Sequence, residues 1–336
     1  MHWACCWWCP WPADLVENRR LMISTALVAA GGLLAAGLSS EPNLFLILSL
    51  LIGFSSVAVQ MLIPLAAHLA PEASRGRVVG NIMGGLLLGI LLARPLSSLV
   101  ADHFGWRAVF VGAALVMLAI ILMMALTIPK RTPAHQASYG QLLQSLLTLL
   151  RQQPVLRRRA FYQGLMFASF SLFWTAVPIE LVRQHGLSQT HIALFALVGA
   201  IGALAAPLAG RLADAGHTRK TSSIAMAIAS GAMLIGWTGP GASVAGLALT
   251  GILLDFAVQM NMVLGQRAVY ALDPASRARL NALYMTSIFI GGAIGSALAS
   301  PLYEAAGWSA IILVGGALPV IALFSFVCRE LKLSPD

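Results

Sequence analysis

The chain has 336 residues, 59% of them hydrophobic and only 10% charged, with a mean hydropathy of +0.83. Soluble domains carry about 25% charged residues, so this composition excludes a water-soluble enzyme or binding module and places the chain in a bilayer. The formal net charge of +9 does not point to nucleic acid, because the basic residues sit in short loops between apolar runs, where they report topology.

Residues 1–12 carry three of the four cysteines, Cys5, Cys6 and Cys9, among four tryptophans. They lack the basic start and clean apolar core of a signal peptide and read as a non-homologous or out-of-frame N-terminus. Cys6-x-x-Cys9 has no second pair or histidine cluster beside it, which argues against a redox or metal site. Ten apolar stretches of membrane-spanning length follow, at roughly 22–40, 44–69, 79–101, 107–128, 160–182, 190–210, 222–240, 243–266, 281–302 and 308–328. Pro42, Pro71, Pro129, Pro240 and Pro274 punctuate the connections. Of the 21 Lys and Arg, all but Arg107, Arg183 and the intramembrane Arg94 fall on one side of this arrangement. The positive-inside rule makes that side cytoplasmic, with both termini on it. The fold class is therefore an all-α, multi-pass bundle of about ten transmembrane helices.

The chain also repeats itself. Asp14 with Arg19-Arg20 recurs as Asp214 with Arg219-Lys220, and Ala58-Val59-Gln60-Met61 as Ala257-Val258-Gln259-Met260. Ser74-Arg75-Gly76-Arg77 recurs as Ser276-Arg277-Ala278-Arg279, and Gly105-Trp106 as Gly307-Trp308. Four ordered matches at one offset of about 200 residues mark an internal duplication, the architecture of secondary transporters. The expected organisation is an N-terminal bundle at 13–128, a cytoplasmic linker at 129–159 and a C-terminal six-helix bundle at 160–330. Fewer residues precede Asp14 than precede Asp214 from the start of its half, by roughly 40, the length of two spans. Within the linker, Leu142, Leu143, Leu146, Leu149 and Leu150 share one helical face and Gln141, Gln144, Thr148 and Arg151 the other. This reads as an amphipathic helix on the membrane surface, followed by Arg157-Arg158-Arg159. A topological anchor is the plainer reading and a regulatory lipid site the sharper one.

Few polar groups lie inside the spans. Asp255 sits well within 243–266, where a charge costs about 2.5–3.5 kcal/mol on insertion scales. Gln259 and Gln266 fall near the same helical face, which would line an aqueous cavity where Asp255 binds a proton or a cationic substrate; a structural hydrogen bond is the alternative. The equivalent first-half positions are Ser56 and Gln60. Arg94, before Pro95, is a second intramembrane charge, either a counter-charge or a snorkelled side chain. Glu180 and His185 fall near the outer end of their span and read as interfacial. Gly84-Gly85 with Gly89, and Gly291-Gly292 with Gly295, permit close helix approach. No nucleophile-base pair, phosphate loop or metal cluster is evident, so no catalytic residue, metal or cofactor is expected, and an ion gradient is the implied energy source.

Gly210-Arg211-Leu212-Ala213-Asp214 followed by Arg219-Lys220, with its first-half counterpart Ala13-Asp14 to Arg19-Arg20, resembles the cytoplasmic loop motif of the major facilitator superfamily. Gly84-Gly85 with Gly89 resembles the glycine-bearing fifth helix of its drug/proton antiporters. On this resemblance the ten spans correspond to family helices three to twelve, with no counterpart of the first two. Two positions depart from the family pattern: Pro10 stands where the loop usually opens with Gly, and Val57 where antiporters often carry Arg. The resemblance implies proton-coupled efflux of small amphipathic molecules by alternating access, from a monomer in the bacterial inner membrane. It implies a conformational latch in which Asp14 with Arg19 and Arg20, and Asp214 with Arg211, Arg219 and Lys220, form charge-assisted bonds in one state. Because the family's seventh helix lines the cavity, Phe167, Phe170 and Trp174 would stack on substrate; core or lipid packing is the alternative. The readings left open are an inactive transporter remnant, a passive channel and a membrane-embedded enzyme.

Overall fold

The computed structural model describes residues 18–55, 75–127, 139–237, 243–273 and 276–330. The described chain is helical, without a strand among those residues. This follows from the solvent: lipid offers no partners for backbone N–H and C=O groups, so each span must satisfy its own. The chain forms two compact units, Met1–Ser145 and Leu146–Asp336.

The first unit contains α1 (Asn18–Leu38), α2 (Pro42–Ser55), α3 (Arg75–Phe104) and α4 (Trp106–Thr127). Small side chains let α1 approach its neighbours. Ala26 and Ala30 pack on Ile121 and Met124 of α4, and Gly32 faces Ile52 of α2 so closely that a Cβ would lie 2.9 Å from its Cγ1. The opposite face of α4 is apolar and exposed, with Leu115 62% and Leu126 78% accessible, as a lipid-facing surface requires.

Beyond α5 (Tyr139–Gln152), the second unit contains α6 (Pro154–Arg183), α7 (Gln189–Ala196), a 3-10 helix (Leu197–Leu204), α8 (Ala205–Asp214), α9 (Thr218–Ile235), α10 (Val244–Tyr270) and α11 (Arg277–Glu330). The 54 residues of α11 would extend about 80 Å as one straight helix, against a hydrocarbon core of about 30 Å. The run breaks instead at Ala306 and Gly307, giving two crossings, 277–305 and 308–330. The first crossing packs backbone to backbone on α6. A Cβ at Gly291 would overlap the Gly164 carbonyl, and one at Gly295 the Ala168 carbonyl. The core of the unit is built from Phe173, Trp174, Met233, Leu254, Phe326 and their neighbours.

The described part of each of the ten expected spans falls largely on helical chain, the second being described as far as Ser55 and the seventh as far as Trp237. Among the described residues, Trp106–Thr127, Pro154–Arg183, Val244–Tyr270 and Arg279–Arg329 are long and apolar enough to cross a membrane, with Met22–Leu38, Pro42–Ser55 and Gln189–Gly199 as shorter apolar helices. The duplication is visible in the backbone. Gly105 (φ 81°) and Gly307 (φ 66°) both take the left-handed conformation that Gly adopts without a Cβ penalty. In each unit a side chain just after this glycine bonds a carbonyl at the end of an earlier helix, through different residues. Arg107 donates to the Ser39 carbonyl after α1 at 3.3 Å, and Trp308 Nε1 donates to the Gly236 carbonyl after α9 at 3.1 Å.

Two features differ from the sequence reading. The span 190–210 is not one α-helix but α7, the 3-10 segment and α8 in succession. The span expected to start near 160 starts at Pro154, so Arg157-Arg158-Arg159 lie on α6 and not in the linker. Pro is pre-organised for the first helical position, where its missing N–H costs nothing.

Candidate functional site

α10 opens with Ser243 as N-cap, its hydroxyl accepting from the Gly246 N–H at 3.1 Å. From there the helix carries Asp255 about 17 Å along its axis, to mid-span. The carboxylate is 8% exposed. Trp174 Nε1, on α6, donates to Asp255 Oδ1 at 2.6 Å between buried atoms. The other side of Asp255 is occupied by the 3-10 segment. A Cβ at Gly199 would lie 2.6 Å from Oδ2, and one at Gly202 would overlap the Asp255 Cβ. The glycines bring this backbone onto the acid, where the 3-10 segment interrupts the helical run.

One to two turns toward the C-terminal end of α10 lies a second buried polar group. Gln163 of α6 is fully buried; its Nε2 donates to the Val258 carbonyl at 3.2 Å, and its Oε1 accepts from Asn261 Nδ2 at 2.6 Å. Asn261 Oδ1 is buried and has no hydrogen-bond partner among the described residues. Near the C-terminal end of α6, Tyr303 donates to the buried Glu180 Oε2 at 2.6 Å, and the Arg183 guanidinium sits 5.3 Å over the Tyr303 ring.

Asp255 and Trp174, separate candidates in the sequence, are thus brought together. The polar face expected on α10 divides: Gln259 is half-buried, while Gln266 Nε2 donates to Tyr270 at 2.9 Å and to Asn281 at 3.1 Å. The aromatic stripe is packed within its own unit. Phe167 and Phe170 stack at 5.1 Å with 19° between planes, Phe167 also lies against Gly292, and Trp174 meets Phe173 and Phe195 edge-on. Glu180, read as interfacial, is buried against Tyr303, which reaches it. Asn261 and Arg159 were missed. Asn261 stands between Met260 and Met262 inside a span, which was a usable signal. Arg159 sits in a run of three arginines that reads as solvated, yet it is 5% exposed, donates to Ser222 Oγ at 2.9 Å and lies 5.4 Å over the Phe326 ring.

Among the latch candidates, Arg19 donates to the Ala125 carbonyl, one of the four carbonyls that end α4 without an intrahelical partner. Arg20, Arg211, Arg219 and Lys220 are exposed. The last three flank a turn in which Gly216 takes φ 80° and the His217 N–H bonds the Leu212 carbonyl at 3.0 Å, the Schellman ending of a helix. Asp14 and Gln60 lie outside the described residues, as do the side chains of Arg94 and Asp214. Among the described residues no group of three His, Cys, Asp or Glu could hold a metal ion.

The family model for the Major Facilitator Superfamily matches this chain twice, over residues 6–165 and 159–335. The uncharacterized transporter YgaY of Escherichia coli O157:H7 is 39% identical over 311 residues, covering 92% of this chain and 79% of that protein. A Mannheimia succiniciproducens protein named "Probable sugar efflux transporter" is 24% identical over 323 residues, 95% of this chain and 79% of its own length. Among solved structures, a bacterial homologue of the human lysosomal transporter Spinster superposes with a TM-score of 0.70 at 16% identity, covering 96% of this chain and 86% of that one.

Proposed function

Because this chain belongs to the major facilitator superfamily, we propose that it exports small amphipathic molecules from the bacterial cytoplasm, driven by protons. It works as a monomer in the inner membrane, both termini cytoplasmic, by alternating access between its two halves. Asp255 is the coupling residue: protonation and deprotonation of its carboxyl accompany the exchange. The observation that carries this reading is the acid itself, buried at mid-span, bonded to one indole and pressed against a broken helix. An ionisable group at that depth is costly to insert, and half-helices meeting at a midplane acid are a recurring way of building an ion site in transporters. The export direction is supported by the likeness to drug/proton antiporters and by the efflux function in the name of the Mannheimia relative.

The latch reading extends to Arg211, Arg219 and Lys220, whose exposure at a tight turn leaves them available to another loop. Arg19 instead serves its own unit as a cap on α4.

The test is transport in everted membrane vesicles, acidified inside by respiration, using a fluorescent amphipathic cation. Vesicles containing the chain should accumulate the dye above empty-vector vesicles, and a protonophore should collapse the difference. No dye in a chemically varied panel moving under a proton gradient, with the chain present in the membrane, would refute proton-driven export of this class.

A further inference from the structure

The cytoplasmic end of the second unit holds a cavity of about 670 Å³ between the first turns of α6 and the last turn of α11. Three guanidiniums line it, Arg157, Arg158 and Arg329, together with Phe161, Tyr162 and Cys328. No carboxylate is among the described lining residues. Three like charges around one cavity repel one another, and an anion relieves that repulsion. Arg157 is held in place: its Nη1 donates to the Leu150 and Arg151 carbonyls at 3.3 and 2.6 Å. These carbonyls end the amphipathic helix α5, so the helix is fastened to the rim of the cavity.

We propose that this cavity binds the phosphate headgroup of an anionic phospholipid from the cytoplasmic leaflet. Guanidinium forks match phosphate oxygens in geometry and charge, and basic pockets between transmembrane helices on this side suit anionic headgroups. The apolar surroundings select a lipid over a soluble anion. Phe161, on the wall, is 49% exposed. Along α11, Phe324 and Val320 lie one and two turns from Cys328 on the same face, 69% and 51% exposed. This stripe runs from the headgroup toward the bilayer interior, where an acyl chain would lie. The bound lipid joins α6, α11 and, through Arg157, the linker helix.

The inference is independent of the transport reaction, and its test reads lipid retention. The purified full chain is mixed with dioleoyl phosphatidylglycerol or dioleoyl phosphatidylcholine and examined by native mass spectrometry. Phosphatidylglycerol should be retained at least tenfold better, a difference of about 1.4 kcal/mol or more, in the direction expected of basic residues near the phosphate. The double variant Arg158→Gln/Arg329→Gln should lose that preference, and millimolar inorganic phosphate should not displace the lipid. In the unaltered chain, phosphatidylglycerol should slow maleimide alkylation of Cys328, read by peptide mapping, more than phosphatidylcholine does. This arm decides the matter even where the double variant fails to fold. Equal retention of the two lipids, a preference that survives in the double variant, or an unprotected Cys328 would overturn the proposal. Displacement by inorganic phosphate would reassign the cavity to a soluble anion.

Discussion

Trp174 and Asp255 stand 81 residues apart in the chain and meet through one hydrogen bond of 2.6 Å between buried atoms. The indole can only donate, so the bond requires an acceptor on Asp255 and orients the carboxyl group in whichever protonation state it holds. Trp174→Phe keeps an aromatic ring and removes the donor. A hydrogen bond to a charged group contributes about 1.5–3 kcal/mol, and a loss of that size is expected as a lower midpoint of thermal unfolding in detergent. The Asp255→Asn background should absorb most of this cost, because an amide oxygen depends less on the missing donor. Equal losses in both backgrounds would remove the pair from the account.

The 3-10 segment beside Asp255 depends on the absence of a side chain at Gly202. Gly202→Ala would place a methyl group on the Asp255 Cβ and near the Phe256 amide. Overpacking of this kind costs about 1–3 kcal/mol. The contact is with the Asp255 Cβ and adjoining backbone, which no rotamer change moves, so the expected result is reduced folded yield and lowered thermal stability. A variant as stable as the parent would mean that this segment does not rest on α10 as described.

The α6 and α11 backbones touch at Gly291 and Gly295, whereas Gly31 on α1 has nothing within 4 Å of a built Cβ. Gly291→Ala and Gly295→Ala should each destabilise by about 1–3 kcal/mol. Gly31→Ala should be neutral, or stabilising by up to about 1 kcal/mol through helix propensity. The contrast within one residue type separates close packing from a general intolerance of alanine, and thermal unfolding of the three variants measures it.

Tyr303→Phe removes the hydroxyl that donates to Glu180 Oε2. A buried carboxylate deprived of a donor costs about 1–3 kcal/mol or more. The variant should therefore unfold earlier than the parent, with Glu180→Gln restoring part of the loss. If Tyr303→Phe is silent, Glu180 is hydrated and the clasp between α6 and α11 is not formed.

The sequence was most legible where bilayer physics leaves little choice. A span needs about 20 apolar residues, so a helical fold of about ten crossings could be read directly. The duplicated Gly-Trp words proved to be duplicated structure, Gly105 and Gly307 each turning one helix into the next with positive φ. What could not be read was helix rotation and pairing. Leu197-Val198-Gly199-Ala200-Ile201-Gly202 is apolar throughout, and nothing in it distinguishes an α-helix from a 3-10 segment pressed on an acid far along the chain. For the same reason the sequence leaves open whether Asp255 lines a cavity or bonds a neighbouring helix; the structure bonds it to Trp174, and Gln266 to Asn281. Arg159 differs from Arg157 and Arg158 only in the direction it faces, which three identical letters in a row do not encode.

The central claim is that Asp255 couples proton movement to export, and the most direct measurement compares the parent with Asp255→Asn in the everted-vesicle assay at matched membrane abundance. Asparagine keeps the size and the acceptor for Trp174 while removing the exchangeable proton. The account predicts that proton-driven dye accumulation is lost in Asp255→Asn and retained in Gln259→Ala, with both proteins stably inserted. Accumulation by Asp255→Asn at the parental rate and with the same dependence on the pH gradient would contradict it and return Asp255 to a structural role.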